Sequence, residues 1–241
     1  MSAPELAGAR AALLAADLVV PHTDADGLAA GALALRARRD AARDAVLLGR
    51  GQTPYGEAPP LPHGSAAVLD WGVRPLLRPG ILVDHHASEW EPGNGEVMVV
   101  SAYGEDPETT TAPLVRRLDP DEPAWLAAVG AVGDLGDVGF RLPECSPAPR
   151  GAVRRLVPLV NAPRRLPDGP VRAALALLCE AESPAAGLAD PRIALLEEAR
   201  CEWRSEYEHV RRTAPSLEQA GGSLSPVRNA AGSADVPNVT R

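Results

Sequence analysis

Three short apolar runs in this chain stop abruptly at acids or histidines. Asp17-Leu18-Val19-Val20-Pro21, apolar after its first residue, runs into His22, Ala66-Ala67-Val68-Leu69 into Asp70, and Ile81-Leu82-Val83 into Asp84-His85-His86. Within each, the apolar residues are consecutive rather than alternate. A strand reads this way when both faces of its sheet are covered, as in the parallel sheets of α/β proteins. Ligand crevices in such sheets lie beyond the carboxyl ends of the strands. The residues that close these runs therefore fall where chemistry is done.

Two more runs, Ala45-Val46-Leu47-Leu48-Gly49 and Glu96 to Val100, also read as strands, and helical stretches at 4–16 and 28–43 alternate with them. The alternation predicts an α/β fold, a mainly parallel doubly wound sheet flanked by helices. From Glu108 the pattern turns helical. Thr109 to Thr111 are expected to cap a helix carrying Leu114, Val115 and Leu118. A second helix, opened by Pro123, runs through Trp125 to Val132 and ends in Gly133-Asp134-Leu135-Gly136-Asp137. Acids at that end oppose the usual dipole preference for cations, which hints that something else, such as a metal, holds them. Further helices are expected at about 150–161, 170–180 and 190–213, punctuated by Gly and Pro. Residues 214–241, rich in Gly, Ser, Ala and Pro, read as a disordered or truncated tail. The organisation expected is a catalytic core over 1–140, a helical continuation over 141–213, and the tail.

Composition narrows the function. Of 241 residues 45% are hydrophobic but only 3% aromatic, so the core must rest on Ala, Leu and Val. The net charge of -8 argues against a long nucleic acid held on a broad basic face. All 24 basic side chains are Arg, which excludes a Walker P-loop and lysine-based covalent catalysis. Cys145, Cys179 and Cys201 lack C-x-x-C spacing and read as buried free thiols in a reducing compartment. No leader and no membrane-length apolar run is evident, so a cytoplasmic protein without a membrane partner is expected. Neither a G-x-S-x-G elbow nor a G-x-G-x-x-G turn occurs. Arg50 and His63 read as ordinary loop residues.

What remains is a set of acids and imidazoles. In the tract PHTDADG, one Asp before a helix is usually a cap, but His22, Asp24 and Asp26 together exceed what capping requires. Asp70, then Asp84, His85 and His86, end the next strands, and Asp134 ends the later helix. Parallel strands bring these sets to one sheet edge. Carboxylates and imidazoles without thiolates suit Mn2+ or Mg2+ better than structural zinc. So many acids at one point repel unless cations join them. Two ions roughly 3.5–4 Å apart would suffice, activating water and clamping phosphoryl oxygens.

The stretches PHTDADG, VLDWG, ILVDHHAS and AVGDLGD, in this order over roughly residues 17–140, resemble the DHH family of phosphoesterases. That family holds RecJ-like single-strand exonucleases, oligoribonucleases and cyclic-dinucleotide phosphodiesterases. PLVNAPRRL adds a less specific match, with Asn161 and Arg165. The resemblance implies two Mn2+ ions, with Mg2+ possible: one on His22, Asp24 and Asp70, the other on Asp26, Asp70, His85 and Asp134, with Asp70 bridging. It implies catalytic roles for His86, on the phosphate or leaving oxygen, for Arg165, on phosphate charge, and for Asp84, which orients a neighbouring His. Asp137 is the substitute should Asp134 not serve. The glycine-rich GGGH stretch of the family's C-terminal substrate-binding domain has no counterpart here. The expected activity is Mn2+-dependent hydrolysis of the phosphodiester of a short oligonucleotide or of a dinucleotide, linear or cyclic. The alternatives are a RecJ-like single-strand exonuclease and a catalytically impaired nucleotide-binding lobe.

Overall fold

The computed structural model describes residues 2–57, 59–88, 90 and 95–213; the tail expected to be disordered lies outside them. Four parallel strands form one sheet in the order β1 (Leu18–Pro21), β2 (Ala66–Leu69), β3 (Gly80–Asp84) and β4 (Val97–Ser101). In-register pairs such as Val20 with Val68 and Val68 with Leu82 align the strand ends, so the residues after each strand emerge at one edge.

The expected strand at 45–49 does not form. It survives as a single parallel bridge between Val19 and Ala45, outside β1. A 3-10 turn at Ala42–Asp44 delivers the chain there, and a tight turn from Gly49 to Gln52 peels it away again. The bridge still fixes the winding. The chain steps from β1 outward to Ala45, then back across to β2, and that reversal marks the switch point of an open α/β sheet between β1 and β2.

One sheet face carries Val19, Ala67, Leu69, Ile81, Val83 and Val100 into the main core, which helices cover. The other turns Val20, Ala66, Val68, Leu82 and Val97 toward a second cluster built from connecting segments, with Leu48, Val73 and Leu76. Along β1, β2 and β3 both faces are covered, which is why those strands show no polar alternation; the edge strand β4 leaves Met98 exposed.

The helices are α1 (Ala3–Ala15), α2 (Ala25–Arg38), α3 (Thr111–Leu118), α4 (Ala124–Leu135), α5 (Arg150–Val160), α6 (Val171–Glu180), α7 (Pro184–Ala189) and α8 (Ile193–Thr213). The chain divides into one unit over Met1–Arg200 and a second from Cys201. In the first, α2 is the central helix, buried at every position from Ala25 to Leu35. It starts earlier than its composition suggests because Asp24 caps it, accepting from the Gly27 N–H. It stops at Arg38, where Arg39 turns left-handed at φ 61°. Of the cysteines, Cys145 is buried as expected, but Cys201 is exposed.

Small residues let α2 and α4 approach closely. A Cβ on Gly133 would lie 2.9 Å from that of Ala25, and one on Gly130 would crowd Ala112 and the Asp26 carboxylate. Only glycine fits there without displacing backbone. Gly130→Val should therefore lower the unfolding free energy by at least about 1–3 kcal/mol, the usual cost of overpacking a dense core. Urea denaturation measures this, and an unchanged midpoint would contradict the close approach.

Candidate metal centre

The centre stands at the switch point, where β1, β2 and β3 end and α2 begins. His22 leaves β1, Asp24 caps α2, and Asp26 lies in the first turn of α2. The tract thus turns into the helix rather than staying extended. Asp70 follows β2, Asp84 ends β3 with His85 and His86 directly after it, and Asp134 comes from the last turn of α4. Asp70 adopts φ 68°, a left-handed conformation that Asp tolerates better than most residues. Such outliers persist where surrounding structure holds them, commonly at functional sites.

These side chains converge in overlapping sets. His22, Asp24 and Asp70 offer ligand atoms within 4.8 Å of one another, as do Asp26, His85 and Asp134, and Asp70, His85 and His86. His85 Nε2 lies 3.4 Å from both Asp70 Oδ1 and Asp134 Oδ2, and 3.9 Å from Asp26 Oδ2. His22 Nδ1 lies 2.7 Å from Asp24 Oδ2 and 3.9 Å from Asp70 Oδ2. Asp70 is common to both sides.

Asp26 has no solvent exposure, and the start of α3 supplies its partners. Thr110 Oγ1 and the Ala112 N–H donate to Oδ1 at 2.8 and 3.0 Å, and the Thr111 N–H donates to Oδ2 at 2.7 Å. Unpaired amides at a helix start are a natural cradle for a carboxylate. The threonines expected as caps are therefore spent differently: the Thr110 hydroxyl leaves its helix for Asp26, and that of Thr111 donates to Asp70 at 2.9 Å. Even so, burial first, and then the Asp134 charge, push the Asp26 carboxyl up to about 6. Asp70 lies well above the carboxylate range, through burial and the charge of Asp26. For His85, burial is outweighed by the Asp134 and Asp70 carboxylates, which raise it to about 11.

Asp84 faces the other way. It accepts from the His86 N–H and Nδ1 at 2.7 and 2.9 Å and from the Gly72 N–H at 2.6 Å. These bonds outweigh burial and hold its carboxyl below the usual range. Asp84 thereby ties the β2 exit to the β3 exit and fixes His86, whose side chain is half exposed.

Three residues here were not assigned to the site by the sequence. Arg164 Nη1 donates to Asp24 Oδ2 at 2.8 Å from the 3-10 turn Pro163–Arg165. Arg165, to which the sequence motif points for phosphate charge, stands beside it, its pKa lowered by burial and by the Arg164 charge. Trp71 packs edge-on against His22 with ring centroids 4.9 Å apart. Thr111 belongs to the expected cap and gave no hint of reaching Asp70. Asn161 does reach the site, accepting from the Ala25 N–H at 2.8 Å. Asp137 does not join the cluster: it is exposed and pairs with Arg154 at 2.7–2.8 Å.

The residues fit divalent cations. His85 Nε2 is buried without a hydrogen-bond partner among the described residues, although three carboxylates surround it. Buried polar atoms are rarely left so. Carboxylates pushed toward their neutral form and an imidazole pushed toward its charged form describe a site short of positive charge. The donors are oxygen and imidazole nitrogen throughout, the set that Mn2+ and Mg2+ accept.

An acidic centre at the switch point of a parallel α/β sheet, with groups that could hold divalent ions, is what fold and site define. The fold itself is that of RecJ exonucleases, the DHH-type structures to which the sequence motifs point. A manganese-bound exonuclease RecJ shares 20% identity with this chain at a TM-score of 0.59, covering 87% of this chain and 69% of that one. RecJ from Thermus thermophilus in complex with Mn2+ gives 20% identity and a TM-score of 0.59, over 89% of this chain and 40% of its own. The Mg2+ complex of the same protein gives 22% and 0.53, over 89% and 37%. The chain therefore spans well under half of the Thermus thermophilus protein. No family model matches the sequence, and no curated protein is significantly similar to it.

The raised acids set the pH dependence of the metal-free protein. A carboxyl whose folded pKa exceeds its unfolded one holds a proton in the native state that the unfolded chain releases, so stability falls as pH rises between the two values. For Asp26 that window runs from 3.8 to about 6, and Asp70 acts in the same direction. Asp24 and Asp84 are lowered and act only below 3.8. In chelator, Tm should therefore decline from about pH 4 to pH 6, and Mn2+ should abolish the decline because bound cations favour the ionised acids. Differential scanning calorimetry decides it. A Tm that climbs over this range in chelator would contradict the buried, mutually repelling carboxylates.

Proposed function

We propose that this chain is a metal-dependent phosphoesterase, working with Mn2+ and able to use Mg2+, that hydrolyses the phosphodiester of a short oligonucleotide or a cyclic dinucleotide. The observation that carries the reading is the pair of clusters either side of Asp70, with His22 and Asp24 on one side and Asp26, His85 and Asp134 on the other. These groups would hold two divalent ions, which when bound would supply a nucleophile from water near neutral pH and charge stabilisation for the phosphoryl group.

The remaining residues position and neutralise. Asp26, fixed by three donors from α3, and Asp70, fixed by Thr111, keep the donor atoms in place without a loaded site. His86 commits Nδ1 to Asp84, which leaves Nε2 to meet the phosphate or protonate the leaving oxygen. Asp84 holds it there through Oδ1, which meets both the His86 N–H and Nδ1, while Oδ2 is anchored by the Gly72 N–H. Arg165, beside Asp24, supplies positive charge for the phosphate. The catalytic core over 1–140 is completed by the segment after it, since Asn161 and Arg164 reach the start of α2.

The net charge of -8 and the 3% aromatic content favour a short substrate over a long strand, which needs basic grooves and stacking platforms. Three free thiols suit the reducing cytoplasm, and no helix among the described residues is long and apolar enough to cross a membrane. A second reading, exonucleolytic attack on single strands, has the fold likeness to RecJ exonuclease over 87% of this chain in its favour.

Hydrolysis of a dinucleotide and of long single-stranded DNA, compared in Mn2+, separates the two. The proposal expects the dinucleotide to turn over faster. Asp70→Asn should lose at least about 10³-fold in rate, the equivalent of the several kcal/mol of charge stabilisation that a metal pair provides. Preference for the long strand would favour the exonuclease. Undiminished turnover in Asp70→Asn would overturn both.

A further inference from the structure

The two candidate ion positions differ in what the chain already places on them. At Asp26, His85 and Asp134 no guanidinium donates to either carboxylate among the described residues, and His85 Nε2 has carboxylates at 3.4 Å but no hydrogen-bond partner among those residues. At His22, Asp24 and Asp70 a cation is built in. Arg164 Nη1 donates to Asp24 Oδ2 at 2.8 Å, the oxygen that His22 Nδ1 also meets at 2.7 Å. The other oxygen, Oδ1, accepts from the Gly27 N–H at 2.9 Å. Both oxygens of Asp24 are thus engaged before any ion arrives.

Arg164 is not a wandering surface side chain. Its 3-10 turn follows Asn161, whose side chain accepts from the Ala25 N–H, the residue next to Asp24. The guanidinium and the carboxylate are therefore tethered to the same first turn of α2. Pro163, buried, restricts the backbone directly before it. The ion pair is only partly shielded, with the Arg164 side chain 35% exposed and that of Asp24 14%, which limits its strength without removing it.

We propose that Arg164 is a positioning residue that sets the order of metal loading. It serves as the internal counter-ion of the His22/Asp24/Asp70 position, so the Asp26/His85/Asp134 position fills first. The second ion binds more weakly, because it must displace the guanidinium or share Asp24 with it. This rests on the two-metal reading above and adds to it an inequality between the sites that the ligand sets alone do not give.

The test is calorimetric titration of Mn2+ into the metal-free chain, with tryptophan emission followed in parallel because Trp71 packs against His22. The native chain should bind two ions in unequal steps, the weaker one perturbing the emission. Arg164→Gln should tighten that weaker step by about ten-fold and leave the tighter one unchanged, the scale of one modest charge-assisted hydrogen bond. Arg164→Lys, which keeps the charge but loses the planar fork, should fall between. Arg165→Gln, which removes the neighbouring charge, should shift the step less than Arg164→Gln. If both proteins bind two ions with the same affinities, or if Arg164→Gln weakens binding, the inference fails and the two-metal reading stands. If neither binds Mn2+, both fail.

Discussion

Two carboxylates, those of Asp26 and Asp70, lie almost wholly out of water near each other, with His85 close to both. Their mutual repulsion and lost hydration are the constraint to which the surrounding structure responds. A buried anion is costly unless donors or cations meet it. The chain meets this one with polar groups drawn from elements far apart in sequence. Helix α3 turns its first amides and two threonine hydroxyls onto the pair. His85 brings a proton-holding imidazole, and Asp134 adds a further acid from α4. The sum still lacks positive charge, a deficit that the divalent ions of the proposed function would fill.

That arrangement depends on thin packing behind it. Helix α2 can be buried along its length only because it is Ala- and Gly-rich, and its first turn carries the acids. Gly130 and Gly133 let α4 come close enough to place Asp134 beside His85. A bulkier pair of faces would move Asp134 away by the width of a side chain. The sheet contributes alignment, since parallel strands in register end together, and Asp84 ties two of those ends through Gly72 and His86. Precision at the centre is thus a property of close helix packing and strand register, not of the loop residues alone.

Much of this was legible in the residues. The apolar runs announced parallel strands because a doubly covered strand has no polar face, and β1, β2, β3 and β4 all formed close to their expected positions. The acids and imidazoles could be named because strand ends in such sheets share one edge. The run at 45–49 misled because strand propensity says nothing about whether a neighbour's edge stays in reach, and the Gly49 turn takes it away after one pair. The threonines misled differently: a capping signature is local, while their partners, Asp26 and Asp70, lie 41 to 85 residues distant. Arg164 and Arg165 are adjacent in sequence and chemically alike, so only the path of the turn after α5 tells which guanidinium meets Asp24.

The most direct test is crystallographic. Crystals grown in Mn2+, with anomalous data collected at the manganese edge, should show two peaks roughly 3.5–4 Å apart, with Asp70 between them and His22 and His85 on opposite sides. A single peak, or peaks remote from Asp70, would contradict a centre whose buried acids exist to share a pair of ions.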